Sequence, residues 1–474
     1  MTPEELAALL PPDFELGVAA AAFQIEGAAD EDGRGVSTWD EFVARPGTIL
    51  DGSDARVATD HYHRFREDVA LMADLGVSTY RFSIAWPRIH PDGTGPANPA
   101  GIAFYDRLID ELLAAGIKPM ATLFHWDTPL PLERRGGWRR RETAERFGEF
   151  ARTAGEAFGD RVDAWVTVNE ACTVTLEGYG LDVHAPGLAS ELLIPRVARN
   201  LLLGHGLAVQ ALRAVPVAGR IGITNVHTVS VPATDSRRDA AYADLFDFLH
   251  NRLFADPVLL GRNPAPPRGV GALGTVLGIL SRSSRRDLAL MSQPLDFYGL
   301  NYYFPSRIAA GPPPPGSGNP DGISEAMDSA PFHLTDWPPI DGRPVEQTGF
   351  GWPVAPDYLR VVLEDLVERY GERLPPIVIT EGGASFPDAV DASGAVDDPR
   401  RIDYLTRHIA VAARGVPGAD VRGYLVWTIL DNFEWAAGYT QRFGLVHVDF
   451  DTLVRTPKAS FHWLRRVISA RRTL

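Results

Sequence analysis

Short runs of branched apolar residues alternate with longer stretches of helical periodicity along the whole chain. Eight strand-like runs lie near 14–24, 77–86, 118–125, 162–169, 220–227, 295–303, 375–381 and 421–429. Between and after them, apolar positions recur at helical spacing in 65–75, 102–115, 144–158, 201–215, 242–254, 358–370, 402–413 and 461–468. Strands that are apolar on both faces belong to parallel sheets covered by helices. Eight alternations predict an α/β fold of parallel strands joined by crossovers. The count predicts one (β/α)8 barrel of the TIM type across 1–474, with a doubly wound open sheet as the other arrangement it permits.

The connections are unequal, which predicts long inserted loops at the C-terminal face of the strands. The longest, 304–356, is rich in proline and glycine around Pro312, Pro313, Pro314, Pro315 and Gly316. A loop of that length in a compact domain is a lid, a binding insertion or a partly disordered segment. No fixed short repeat and no linker-like change of composition divides the chain.

Catalytic groups in such barrels come from the exits of several strands. Read in order, those exits carry Gln24 and Glu26, Arg81, His125 and Trp126, Asn169 and Glu170, Asn225 and His227, then Asn301, Tyr302 and Tyr303, then Glu381, then Trp427 with Asp431 to Trp435 behind it. Glu170 and Glu381 each end a β-branched run. A bare acid at the end of a buried strand is costly unless it has partners or a task. Hydrogen-bonding groups interleaved with tryptophan suit a sugar, whose hydroxyls need polar partners and whose C–H face stacks on an indole. Two carboxyls across one pocket cleave glycosidic bonds, with retention at a separation of about 5–5.5 Å and inversion at about 6.5–9.5 Å. Sequence spacing does not choose between them.

Composition narrows the partners. The net charge of −15 disfavours nucleic acid and anionic membrane, which call for basic patches. Cys172 is the single cysteine, so no intramolecular disulfide forms. The first residues lack a basic stretch followed by a long apolar core, and no signal peptide is expected. A cytoplasmic protein acting on a small molecule is the expectation. The sequence leaves the oligomeric state open.

In these strand-exit motifs the chain resembles glycoside hydrolase family 1, the β-glucosidase family. The likeness runs nearly end to end. It includes Ala22 to Gly27, Tyr80 to Arg88, His125-Trp126-Asp127, Thr167 to Glu170, Gly299 to Tyr303, Ile379-Thr380-Glu381 and Trp427 to Trp435. The resemblance implies a retaining, exo-acting β-glycosidase without cofactor or metal. Its expected substrate is a small β-glycoside or short oligosaccharide, with β-galactosidase or β-fucosidase side activity and a part in cellulose degradation. It implies Glu170 as acid/base and Glu381 as nucleophile. It implies Gln24, His125, Asn169, Asn301, Tyr303, Trp427, Glu434 and Trp435 around the sugar. Arg81, with Tyr303, would hold the nucleophile ionised and oriented. Trp352 is a candidate for the outer, leaving-group end, with simple core or lid packing as the equal alternative. A transglycosylase shares the covalent intermediate, and a non-catalytic sugar-binding barrel shares the fold; the presence of both glutamates disfavours the latter.

Two positions depart from the family pattern. Ala171 stands where proline is usual, and Gly382 stands where asparagine is usual. Gly382 is expected to forgo a side-chain hydrogen bond beside the nucleophile and to allow unusual backbone angles. Glu434, Gln441 and Phe443 occupy positions where relatives acting on 6-phosphosugars hold phosphate, and a carboxylate there disfavours a phosphorylated substrate. Glutamate at 170 disfavours thioglucosidase activity. His61 and His63 form a His-x-His at a helix start but have no further ligand set. Cys172 reads as a small buried residue, and Arg139 to Arg141 as a solvated surface.

Overall fold

The computed structural model describes residues 1–313, 330–339 and 342–473. Eight strands close into a parallel barrel: β1 Glu15–Ala19, β2 Thr79–Ser83, β3 Lys118–Phe124, β4 Ala164–Asn169, β5 Arg220–Val226, β6 Phe297–Asn301, β7 Ile377–Gly382 and β8 Val421–Trp427. Neighbours follow sequence order, and β8 returns to β1 with Glu15 opposite Gly423 and Ala19 opposite Trp427. The sheet is therefore closed rather than open.

Helices wrap the outside. They include His61–Leu75, Pro99–Ala114, Arg141–Phe158, Ile194–Arg213, Pro356–Tyr370, Pro399–Arg414 and Ala459–Arg471. Proline opens the helices at Pro99, Pro356 and Pro399, where its missing N–H is no loss. Between β5 and β6 the crossover helix Arg237–Asp247 passes through a π-helical turn, Phe248–Arg252, into Leu253–Leu260. Such turns re-aim side chains and occur often at functional sites.

The barrel interior is packed, not hollow. Met120, Ala164, Val166, Phe297, Val378 and Leu425 form one apolar cluster drawn from five strands. Toward the C-terminal end the interior turns polar at the buried Arg81, whose Nε donates to Thr122 Oγ1 at 3.1 Å.

Two strands change register just where polar side chains must enter. Strict alternation from the inward Ala164 and Val166 would turn Asn169 outward. The β4–β5 ladder shifts between Val166 and Asn169, and Asn169 ends inside on Arg81. Likewise Val378 faces inward, and the β6–β7 ladder shifts between Ile379 and Glu381, bringing Glu381 inside.

Smaller pieces decorate the C-terminal face. Ser230–Pro232, Ser306–Ala310 and Phe332–Leu334 make a three-stranded sheet, so part of the expected loop 304–356 is strand. Pro314, Pro315 and Gly316 of its proline run lie outside the described residues. The segment after β8 is tethered by a buried ion network. Lys458 Nζ donates to Asp388 Oδ2 at 2.6 Å and Asp431 Oδ1 at 2.7 Å. Arg442 also holds Asp431, and Arg401 spans Asp388 and Asp398. Three cations meet three carboxylates, which is how charge is buried without leaving a net excess. Among the described residues no helix is long and apolar enough to cross a membrane.

Candidate active site

Glu170 and Glu381 stand at the exits of β4 and β7 and border one cleft at the C-terminal end of the barrel. Glu170 has left-handed backbone angles, φ 48° and ψ 62°, as the chain turns from strand to helix. Left-handed angles in a residue other than glycine carry strain that the surroundings must maintain. Trp126 and Trp435, also on the cleft, share positive φ.

The two carboxyls have different company. Glu170 Oε1 accepts from Asn301 Nδ2 at 2.7 Å, and Oε2 accepts from Thr173 Oγ1 at 2.8 Å. Both donors are neutral. Glu381 Oε1 accepts from Arg81 at 2.5 Å, and Oε2 accepts from the Tyr303 hydroxyl at 2.7 Å. A guanidinium and a phenol donor favour an ionised carboxylate. Asn169 joins the two halves: its Oδ1 accepts from Arg81 at 2.6 Å and from Asn301 at 3.2 Å.

The electrostatic consequence is a weaker acid at Glu170. Burial, then the charge of Glu381, pushes its carboxyl up to about 7. Hydrogen bonds from Asn301 and Thr173 and the charge of Arg81 act the other way but do not cancel the rise. Two acids of one type thus stand in unlike surroundings, neutral donors on Glu170 and a guanidinium with a phenol on Glu381.

The expected sugar set gathers beside them. Gln24 Nε2 donates to the Phe433 carbonyl at 2.8 Å and to Glu434 Oε2 at 3.3 Å, whereas its buried Oε1 has no partner among the described residues. Burial, then the charge of Glu381, raises Glu434 to about 8, against hydrogen bonds from Gln24 and Trp427. His125 is kept neutral by burial and by Arg81, and its Nε2 accepts from Asn169 Nδ2 at 3.2 Å. The His125 ring is within about 20° of parallel to both Trp427 and Trp435, each 5.8 Å away by ring centroids. Glu434, Trp427, Trp435, His125 and Tyr303 border the cleft, while Arg81, Asn169, Asn301 and Gln24 are buried among their hydrogen-bond partners.

Trp352 does border the cleft, but not as an open platform. Phe350 stacks on it at 4.6 Å and Phe304 at 4.7 Å, while Tyr303 and Phe443 meet it at 5.7 and 6.1 Å. Sequence reading missed Thr173, Phe304, Phe350 and the cleft residues Val226, His250, Glu177 and His184. Thr173 had a signal: three residues past Glu170, on the helical turn that begins there, it faces the same carboxyl.

Other candidates fall outside the cleft. Asn225 and His227 both reach the Tyr298 hydroxyl, at 2.9 and 2.7 Å. Glu434 and Phe443 border the cleft, but Gln441 does not. His61 pairs with the buried Asp68, and His63 with Asp60 and Glu31 at the surface, so the two rings point to separate partners. Cys172 is buried, and burial raises its thiol pKa. Arg139 and Arg141 pair with Glu133 and Asp287, respectively. The departure at Gly382 has a steric reason. A Cβ there would sit 2.2 Å from the hydroxyl oxygen of Tyr424 on β8, so the tyrosine fills the room a side chain would take.

The profile of glycosyl hydrolase family 1 matches residues 6–473. β-Glucosidase A of Acetivibrio thermocellus is 41% identical over 459 residues, covering 97% of this chain and 98% of that protein. A bifunctional β-D-glucosidase/β-D-fucosidase of Bifidobacterium breve is 40% identical over 476 residues, covering 97% and 98%. The crystal structure of the psychrophilic β-glucosidase BglU from Micrococcus antarcticus superposes with a TM-score of 0.89 at 41% identity, covering 99% of each chain.

Proposed function

We propose that this chain, which belongs to glycosyl hydrolase family 1, is a β-glucosidase that releases terminal β-D-glucosyl residues with retention of configuration. Glu170 is the acid/base and Glu381 the nucleophile. In the first step Glu170 gives its proton to the glycosidic oxygen, the bond from that oxygen to the anomeric carbon breaks, and a Glu381 oxygen bonds to the same carbon from the opposite face. The aglycone leaves as an alcohol. In the second step Glu170, now a carboxylate, takes a proton from water as the water oxygen displaces Glu381. Two inversions restore the β configuration. Acid–base chemistry and water suffice, so no cofactor enters.

The observation that carries this reading is the unlike company of the two acids: neutral donors and burial around Glu170, a guanidinium and a phenol on Glu381. Supporting the glucosyl preference is the polar set opposite them. Glu434 offers an acceptor for sugar hydroxyls on the cleft, Gln24 donates to it from behind, and Trp427 and Trp435 supply apolar faces. Fucosidase side activity belongs to the proposal because a relative carries both activities in its name. We place its action on short oligosaccharides from cellulose breakdown, in the cytoplasm, where a buried free thiol such as Cys172 stays reduced.

The test is Glu381→Gly with an aryl β-glucoside. Hydrolysis should fall by at least about 10⁴-fold, and azide should restore turnover and yield the α-glucosyl azide. Normal hydrolysis by that variant would end the assignment.

A further inference from the structure

The charge of −15 on the whole chain conceals a local reversal. Residues 257–286, in the crossover between β5 and β6, contain no acid and five arginines. In their midst lies the helix Ala272–Leu280, and from Gly269 to Ser281 no residue is charged.

This helix is turned inside out. Its small residues face the protein: a Cβ on Gly274 would sit 2.3 Å from the Pro267 carbonyl oxygen, and one on Gly278 would sit 2.5 Å from the Pro266 ring. Leu277 shares that face and packs on the cluster that holds Phe246, Ile308 and Phe332. At about 100° per residue the large side chains fall on the opposite arc. There Leu273, Val276, Ile279 and Leu280 are 39%, 46%, 61% and 41% exposed. A surface helix of a soluble protein has the reverse arrangement. Contiguous exposed apolar side chains mark a surface that something else covers.

Both ends of the helix are cationic. Arg268 precedes it, and Arg282, Arg285 and Arg286 follow it. All four are exposed, and none has a side-chain hydrogen bond or ion pair among the described residues. The next acid in sequence, Asp287, is taken by Arg141 at 2.8 Å. Charge then chooses the occupant. A two-fold pair of these helices, in either direction, would set the arginines of one copy on those of the other. The exposed arc is also a convex ridge, which suits a deformable surface better than a rigid one.

We propose that the helix Ala272–Leu280 docks this protein on an anionic lipid surface. The apolar arc enters the boundary between headgroups and acyl chains, and the arginines at its two ends reach the lipid phosphates. At about 14 Å the helix lies in the interface and does not span it. The acidic remainder of the chain is repelled by the same surface, so the contact is confined to this segment and is reversible.

The test is co-sedimentation of the full chain with vesicles of phosphatidylcholine alone, or of phosphatidylcholine and phosphatidylglycerol at about 3:1, at low salt. Partition onto the phosphatidylglycerol vesicles should be at least about tenfold stronger and should fade at high salt. Arg285→Gln with Arg286→Gln should weaken it about thirtyfold, from about fivefold per arginine. Ile279→Asp should weaken it at least about tenfold. Val390→Asp, at an apolar residue 45% exposed in the loop after β7, should leave it unchanged. All three variants should hydrolyse an aryl glucoside as the wild type does, which shows that they fold. Absence of binding, equal binding to both vesicles, binding that survives the helix substitutions, or an equal loss in Val390→Asp overturns the proposal. So does a dimer in sedimentation velocity that Ile279→Asp dissolves while vesicles bind nothing, which would assign the helix to a second copy of this chain.

Discussion

Neutralising the Glu381 charge should release the proton held on Glu170. In Glu381→Gln the side chain keeps its shape and loses its charge. The charge of Glu381 is the second cause, after burial, of the Glu170 pKa near 7. A unit charge at about 5.5 Å, the spacing of a retaining pair, contributes about 3 kcal/mol at an effective dielectric of ~20. That is roughly a hundredfold in the protonation constant. Burial remains in the variant, so the fall stops at about 5, roughly two units below about 7. Arg81, freed of its partner, pushes the same way. The assay is a carbon-13 titration of side-chain-labelled glutamate, with Glu170→Gln identifying the resonance. An inflection that stays at about 7 would show that the two carboxyls do not sense one another, and they would not flank one sugar. The same coupling serves the second chemical step: once Glu381 is esterified its charge is gone, Glu170 becomes a stronger acid, and the carboxylate left after proton donation stays ionised to act as base.

Three further outcomes follow from the same geometry. Because Glu170 must hold its proton, kcat/KM should decline as pH rises through about 7, read from an aryl glucoside across a buffer series. Tyr303→Phe removes the phenol donor to Glu381, a hydrogen bond to a charged group worth about 1.5–3 kcal/mol. Its kcat/KM should fall about ten- to a hundredfold, with the melting temperature little changed. Lys458→Met leaves Asp388 and Asp431 buried without their shared cation, and denaturant unfolding should show a loss of about 3–5 kcal/mol.

The barrel was legible because each strand is a separate apolar run, and all eight runs overlap a barrel strand. Their ends were not. The run 14–24 stops being strand at Ala19, and Ala22–Ile25 is a helical turn that presents Gln24 to the loop of Glu434. The run 77–86 ends at Ser83, and Trp86 opens another short helix. Apolar character alone does not tell the end of a strand from a buried turn. The exposed helix Ala272–Leu280 escaped notice because it is apolar almost throughout and has no polar face to give it a period.

Within the site, side chains next to the motifs were readable and contacts across the barrel were not. Arg81 and Tyr303 on Glu381 were expected and are there. The register shifts that turn Asn169 and Glu381 inward depend on neighbouring strands and leave no local trace. The same holds for Gly382, whose partner Tyr424 lies on another strand. Trp352 borders the cleft, but the two rings that cover it, Phe304 and Phe350, come from separate turns of the chain and were not readable.

The most direct measurement is covalent trapping with 2-deoxy-2-fluoro-β-D-glucosyl fluoride. Good departure of fluoride and slow turnover of the ester should give a burst of one fluoride per chain, with the fluorosugar carried on the peptide containing Glu381. Finding it on the Glu170 or Glu434 peptide, or seeing steady fluoride release with no adduct, would contradict attack by Glu381.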